Sequence, residues 1–168
     1  PTMAGGRVHP IVADVRDAAA AARIVAEADA LGPVDVLVNN VGHFVPAVPF
    51  LDSSEDDWAA LHEVNLGHVL RITQAVLPGM VERGSGGSII NLTTVEAFRG
   101  IPHLPVYAAY KAAVTQLSKS LALDVGVHGI RVNDVAPDVT RSEQLPYERW
   151  LGPDDDARIP TWVPLARL

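Results

Sequence analysis

The chain has 168 residues, 48% of them hydrophobic and 20% charged, with a formal net charge of −7 and no cysteine. That length can build one domain with a real core, and the acidic balance argues against non-specific binding to nucleic acid or to an anionic membrane surface. The lack of cysteine excludes disulfides, thiolate zinc sites and cysteine nucleophiles; with no apolar signal core and no uncharged apolar run of 18 residues, a cytoplasmic protein with no membrane span and no metal site is the expectation.

Taken in chain order, strand and helix patterns alternate. Residues 7–15 read as a buried strand, with Pro10 pointing to a strand end or edge. Residues 18–31 read as a helix, with Asp17 as cap and Gly32-Pro33 as the stop. Residues 34–38 form a short valine-rich strand. A long helix is predicted over 54–83, opened by Ser54 with Asp57 as a capping-box variant and loosened near its end by Pro78-Gly79. A strand over 88–94, a helix over 106–125 and a strand over 129–136 follow. Beyond Pro137 the periodicity dissolves, and residues 138–164 read as a flap over a site.

Alternation of this kind predicts an α/β fold: a doubly wound parallel sheet with helices on both faces, in a single domain spanning 1–168. Parallel sheets of this type bind ligands at the carboxyl ends of their strands. The strands here leave through Asp14, Asn39-Asn40, Thr93-Thr94 and Pro137-Asp138, which places those residues on one rim. Loops are polar in any case, so each end taken singly fits a plain connection equally well.

Tyr107 and Lys111 stand one helical turn apart and share a face. They lie beside the apolar positions Tyr110, Val114, Leu117 and Leu121. A phenol titrates near pH 10, and a nearby fixed cation favours its ionised form. Such a tyrosine can exchange a proton with an alcohol near neutral pH, although the pair alone also fits a surface tyrosine with an unrelated lysine. Asn65 falls on the core stripe Trp58, Leu61, Val69, Ile72, Val76. It is either a core amide satisfied by backbone or one that distorts its helix and anchors a water near the Tyr-Lys pair. Thr94, thirteen residues before Tyr107 at a strand end, can donate to a substrate oxygen or simply cap the strand.

Five segments occur in a telling order: "NNVG" (39–42), "VNLG" (64–67), "SIINLTTVEAFRG" (88–100), "YAAYK" (107–111) and "GIRVNDVAPDV" (129–139). Together they resemble the short-chain dehydrogenase/reductase family over nearly the whole chain, weakening after about residue 145. The resemblance implies a Rossmann-like fold and NAD(P)-dependent hydride transfer between nicotinamide and a secondary alcohol or carbonyl. By position, Tyr107 resembles the acid/base, Lys111 the residue that lowers its pKa and binds the nicotinamide ribose, Thr94 the usual serine, and Asn65 the holder of a relay water. Asp14 and the backbone of Val15 match the adenine contacts. Asn39, Asn40 and Gly42 match the adenosine-side segment, and Pro137 and Val139 match the turn that holds the carboxamide. Ser142 falls near the diphosphate or carboxamide. NAD or NADP is the implied cofactor, and a homodimer or homotetramer built on the helices at 54–83 and 106–125 is the implied assembly. Leu145, Tyr147, Trp150 and Trp162, with Phe44 and Phe98, either exclude water around an apolar substrate or pack an ordinary core.

The family's opening turn, Thr-Gly-x-x-x-Gly-x-Gly, does not occur in these residues, and neither does the strand whose end selects NAD or NADP. In the family's strand order, 3-2-1-4-5-6-7, the two strands not seen would separate 7–15 from 34–38 by roughly 14 Å, three spacings of about 4.8 Å. The expectation is that these residues belong to a longer protein. The alternative is a truncated, non-catalytic relative serving as a binding or oligomerisation module. Val41 replaces the usual alanine and Asp138 the usual glycine; an acid at 138 either repels a phosphate or pairs with Arg141.

Overall fold

The structure is a computed structural model and describes residues 6–138 and residue 140. The chain divides into two compact units, Pro1–Ala136 and Pro137–Leu168. In the second, the Thr140 hydroxyl donates to the Asp138 carbonyl at 3.0 Å.

The first unit contains helix α1 (Ala20–Asp29), strand β1 (Val36–Asn39), helix α2 (Glu55–His62), helix α3 (His68–Arg83), strand β2 (Gly87–Leu92), helix α4 (Pro105–Val125) and strand β3 (Ile130–Val135). The strands form a parallel sheet in the order β1-β2-β3. Register places Leu37, Ile89 and Val132 side by side, and Asn39, Asn91 and Asp134 one pleat nearer the carboxyl ends. One sheet face therefore carries an apolar row followed by a polar row. The apolar row joins the core of Val25, Val76, Met80, Ile89, Val125, Ile130 and Val132. On the other face, Val36 and Val38 are about half exposed (54% and 52%).

The polar row is satisfied within itself and by the two helices that cover it. The Asn39 side-chain amide donates to Thr73 Oγ1 on α3 at 3.2 Å and to Asn91 Oδ1 at 2.8 Å. The Asn91 amide donates to Ser118 Oγ on α4 at 2.8 Å, and Ser118 Oγ lies 2.5 Å from Asp134 Oδ1. Burial pushes the Asp134 carboxyl up, against the opposing Ser118 hydrogen bond and the Lys119 charge. A buried amide left unpaired costs about 1–3 kcal/mol, so this chain of partners is what lets three polar side chains sit inside a sheet.

The helix predicted over 54–83 is broken in two. Its start is as expected: Ser54 Oγ accepts from the Asp57 backbone N–H, and the Asp57 carboxylate accepts from the Ser54 backbone N–H. Between α2 and α3, residues Glu63–Gly67 form a π turn in which the His68 N–H bonds the Glu63 carbonyl. The cause is local. Asn65 Nδ2 donates to the Leu61 carbonyl at 2.9 Å, the acceptor that the Asn65 backbone N–H would use in an α-helix. Pro78 does not loosen α3, which runs on to Arg83 and stops at Gly84 in the left-handed region (φ 65°). The carbonyl that Pro78 leaves unpaired belongs to Gln74, which is exposed, so water can satisfy it.

Two expectations need correction. Residues 7–15 are not a strand: they are irregular, with Val8 67% and Val12 92% exposed. A strand needs a neighbour for its N–H and C=O groups, and among the described residues the sheet offers none beside this segment. On α4 the buried positions are Lys111, Val114, Thr115, Ser118 and Val125, whereas Tyr110 and Leu117 are only partly buried. The helix turns its polar positions inward because the strand ends beneath it are polar. Among the described residues, no helix is long and apolar enough to cross a membrane.

Candidate active site

β2 delivers Thr94 to the carboxyl edge of the sheet. The Thr93 N–H bonds the Val135 carbonyl at 2.8 Å, which ties this exit to β3. Thr94 then caps a single turn, Val95–Ala97. Pro105 opens α4 at its first turn, where a missing N–H costs nothing, and Tyr107 and Lys111 follow on the inward face. Leu92, the last residue of β2, accepts from Lys111 Nζ at 2.9 Å through its carbonyl.

These elements bring the predicted residues into contact. Thr94 acts on the Tyr107 phenol in the direction of its ionised form. Lys111 Nζ lies 6.0 Å from the Tyr107 ring centre, and Phe44 meets the ring edge-on at 6.2 Å. Asn65 is fully buried, its Nδ2 donating to the His43 and Leu61 carbonyls, each at 2.9 Å. A β-carbon placed on Gly42 would lie 2.9 Å from both Asn65 Oδ1 and Lys111 Nζ, so Gly42 is the floor on which those two groups converge. Asn65 Oδ1 has no partner among the described residues.

The electrostatics differ from the sequence expectation. Burial pushes the Tyr107 phenol up, the Thr94 hydrogen bond opposes this, and the Glu96 charge adds to it. The expected lowering of the phenol is therefore not seen in this state. Lys111 is itself only 5% exposed, and burial brings its ammonium down to about 8.

The remaining predicted residues divide. Asp14 is exposed and chelates Arg16 at 2.6 Å, and those hydrogen bonds hold its carboxyl down at about 2. The Val15 carbonyl accepts from Arg71 at 3.3 Å. The Asn39 side chain is spent on the sheet's polar row and turns away from any ligand. Asn40 is exposed, and Phe98 is 64% exposed. Pro137 belongs to the second unit. Val139, Ser142, Leu145, Tyr147, Trp150 and Trp162 lie outside the described residues.

Four residues escaped sequence reasoning. Glu96 accepts the Thr94 hydroxyl hydrogen and pairs with Arg99 at 2.9 Å; its position two residues after Thr94 was the available signal. Asn91 and Asp134 could have been suspected as polar interruptions of apolar strands. His68 is 1% exposed, and neither ring nitrogen has a hydrogen-bond partner among the described residues; nothing in its pattern distinguishes it from an exposed helix histidine. A small cavity opens beside Tyr107, lined by Pro46, Val48, Trp58, Leu61, Leu104 and Tyr107 among others. Among the described residues, no cluster of histidines and acids is arranged to hold a metal ion.

The short chain dehydrogenase family profile matches residues 2–149. Carbonyl reductase (NADPH) 2 of Sus scrofa is 38% identical over 132 residues, which cover 79% of this chain and 52% of that protein. L-xylulose reductase of Homo sapiens is 32% identical over 161 residues, 96% of this chain and 64% of that one. The crystal structure of a gluconate 5-dehydrogenase from Burkholderia cenocepacia J2315, in complex with NADP and tartrate, superposes with a TM-score of 0.82 at 33% identity, covering 92% of this chain and 60% of that chain. The chain thus spans between half and two thirds of the length of these relatives. With a parallel sheet, three-stranded among the described residues, and with Thr94, Tyr107, Lys111 and Asn65 gathered around its carboxyl edge, and with the family match over most of its length, this chain belongs to the short chain dehydrogenase family.

Proposed function

We propose that the protein is an NAD(P)-dependent oxidoreductase acting on a secondary alcohol or carbonyl, with Tyr107, Lys111, Thr94 and Asn65 as its catalytic set. The observation that carries this reading is the buried Lys111 ammonium, 6.0 Å from the Tyr107 ring centre and converging with Asn65 Oδ1 on Gly42. The residues present fit a nicotinamide nucleoside. Gly42 leaves space that a β-carbon would fill, and that space is bordered by an ammonium donor and an unpartnered amide acceptor, a pairing suited to ribose hydroxyls or an ordered water. When bound, the nicotinamide supplies or accepts hydride at the substrate carbon. Within this chain, Tyr107 gives or takes the proton on the substrate oxygen and Thr94 orients that oxygen. Lys111 holds the ribose side, and its charge favours the phenolate once the two groups are brought closer. Asn65 Oδ1 accepts from a water that connects Lys111 to solvent. Asp14, the Val15 backbone, Asn40, Pro137, Val139 and Ser142 complete the cofactor contacts in this reading.

The lining beside Tyr107 is mostly apolar, with Ser53, Asp57 and His103 as its polar members, and favours an apolar substrate. Residues 138–164 are read as the flap that covers it, within one partial Rossmann-type domain spanning 1–168. The Thr-Gly-x-x-x-Gly-x-Gly turn is not among the 168 residues, and this reading takes them to lack that diphosphate cradle. A cytoplasmic homodimer or homotetramer built through α2, α3 and α4, with no nucleic-acid partner, completes the proposal.

The test is nicotinamide binding by calorimetry, together with turnover across a panel of alcohols and ketones. Tyr107→Phe is expected to lower turnover by roughly 10²–10⁴-fold while cofactor affinity stays nearly intact. The absence of both binding and turnover in the purified protein would overturn the reading.

A further inference from the structure

Residues 7–15 are irregular and have no strand beside them among the described residues, so side chains from the helices hold this segment in place. Two guanidinium groups do so. Arg23 on α1 donates to the Val12 carbonyl at 3.0 Å. Arg71 on α3 donates through Nη2 to the Val15 carbonyl at 3.3 Å and, at the limit of a hydrogen bond, to the Arg16 carbonyl at 3.5 Å. The segment also makes a turn of its own. The Arg16 N–H donates to Asp14 Oδ1 at 3.0 Å, and the Asp17 N–H donates to the Asp14 carbonyl at 3.1 Å.

The same Nη2 donates to Glu63 Oε2 at 2.8 Å, a charge-assisted bond. Its two hydrogens suffice: one for Glu63, the other shared by the two carbonyls. Glu63 opens the π turn Glu63–Gly67, which carries Asn65. The other carboxylate oxygen is held as well, because Glu63 Oε1 accepts from His62 Nδ1 at 2.9 Å. The Glu63–Arg71 pair lies over Gly67. A β-carbon there would stand 3.0 Å from Glu63 Oε2 and 3.2 and 3.3 Å from the two terminal nitrogens of Arg71, so glycine at 67 leaves the pair its room. One guanidinium thus joins the Asp14–Arg16 turn to the distorted turn that places Asn65.

We propose that Arg71 is a positioning residue for the dinucleotide: it ties the Asp14–Arg16 segment, at the adenine end, to the π turn that holds Asn65, at the nicotinamide end. The proposal rests on the function proposed above, which assigns those two ends. Arginine suits the task because its terminal nitrogen reaches past the helix surface on a planar, pre-organised group. A lysine ammonium stops one bond short of that position and carries the charge without the span.

The test compares Arg71→Met and Arg71→Lys with the wild type in the full protein. In the nucleotide-free state, the Arg16 and Asp17 amides should exchange hydrogen about tenfold faster in Arg71→Met. The dissociation constant for the dinucleotide, by calorimetry, should rise about tenfold, because the adenine-side segment must then be ordered on binding. Affinity for nicotinamide mononucleotide, and kcat at saturating dinucleotide, should change by less than about threefold. Arg71→Lys should follow Arg71→Met. If Arg71→Met does not fold, as judged by circular dichroism, Arg71→Lys carries the same measurements. Unchanged exchange, or faster exchange with unchanged dinucleotide affinity, overturns the proposal. So does an equal loss of mononucleotide affinity, and so does full rescue by lysine, which would mean that charge alone suffices. A wild type that binds no nicotinamide nucleotide would sink the proposed function and this role with it; wild-type binding that the variants leave intact sinks this role alone.

Discussion

The Asn65 amide oxygen and the Lys111 ammonium converge on one point, the place a β-carbon of Gly42 would occupy at 2.9 Å from each. The two neighbours are not equally held. Asn65 is fixed by two carbonyl acceptors, whereas Lys111 ends a flexible stem with one described acceptor, Leu92. Gly42→Ala should therefore displace Lys111 rather than Asn65. The expected outcome is a turnover loss of about tenfold or more, since small misplacements at a reacting centre are costly. The stability cost should be modest, about 1–2 kcal/mol. Turnover at wild-type level, compared beside urea midpoints, would show that the convergence has no functional meaning.

Lys111 should cost stability where it serves activity. Its folded-state value of about 8 lies below the ordinary 10.5, with burial as the cause. The burial penalty is therefore fully present below pH 8 and is relieved as pH rises from 8 toward 10.5. Lys111→Met keeps the stem and removes the charge. Chemical denaturation at pH 7 should find the variant as stable as the wild type or more stable, by about 1–3 kcal/mol, and without the wild-type gain between pH 8 and 10. Turnover should fall by orders of magnitude.

His68 should govern the acid side. Burial first, then the Lys111 charge and last the Arg71 charge, bring its imidazole down to about 4, against the opposing influence of the Glu63 carbonyl. The unfolded chain binds a proton near pH 6.5 that the folded chain refuses until about pH 4. Stability from this residue is thus whole above pH 6.5 and drains away as pH falls toward 4, by about 3 kcal/mol in all. His68→Leu should flatten that slope. It should also raise stability at pH 7, because two unpartnered ring nitrogens are removed from the interior. Urea midpoints at pH 5 and pH 7 decide it: an equal pH dependence in both proteins would contradict the assignment.

Asn91 is the middle of the polar row, bonded to Asn39 on one side and Ser118 on the other. Asn91→Ala leaves both partners short of a bond and opens a small void. A loss of about 2–4 kcal/mol is expected. Asn39→Ala, at the end of the row, should cost less. Equal costs for the two would argue that the row is not read in sequence from strand to strand.

Much of this arrangement was legible in the chain. Ser54 with Asp57 announced the start of α2, and the spacing of Tyr107 and Lys111 placed both on one helical face, because helical period and capping chemistry are local. Asn65 on an apolar stripe signalled a distorted helix, and the π turn at Glu63–Gly67 is that distortion. The inward polar face of α4 was not legible. Lys111 and Ser118 look like solvent positions until the polar strand ends beneath them are known. The same applies to residues 7–15, whose composition suits a strand but whose pairing depends on neighbours that no local pattern reveals.

By itself, the sequence determined which segments are strands and helices near the site, and which phenol, hydroxyl, amide and ammonium leave them at one edge of a parallel sheet. Only the tertiary structure decided what each of those groups touches. The Asn39 side chain went to the sheet and not to a ligand, Thr94 gave its hydrogen to Glu96, and Lys111 turned to the Leu92 carbonyl. The reason is physical: secondary structure follows from periodicity along the chain, whereas hydrogen-bond partners and pKa shifts are set by distance and burial between residues far apart in it.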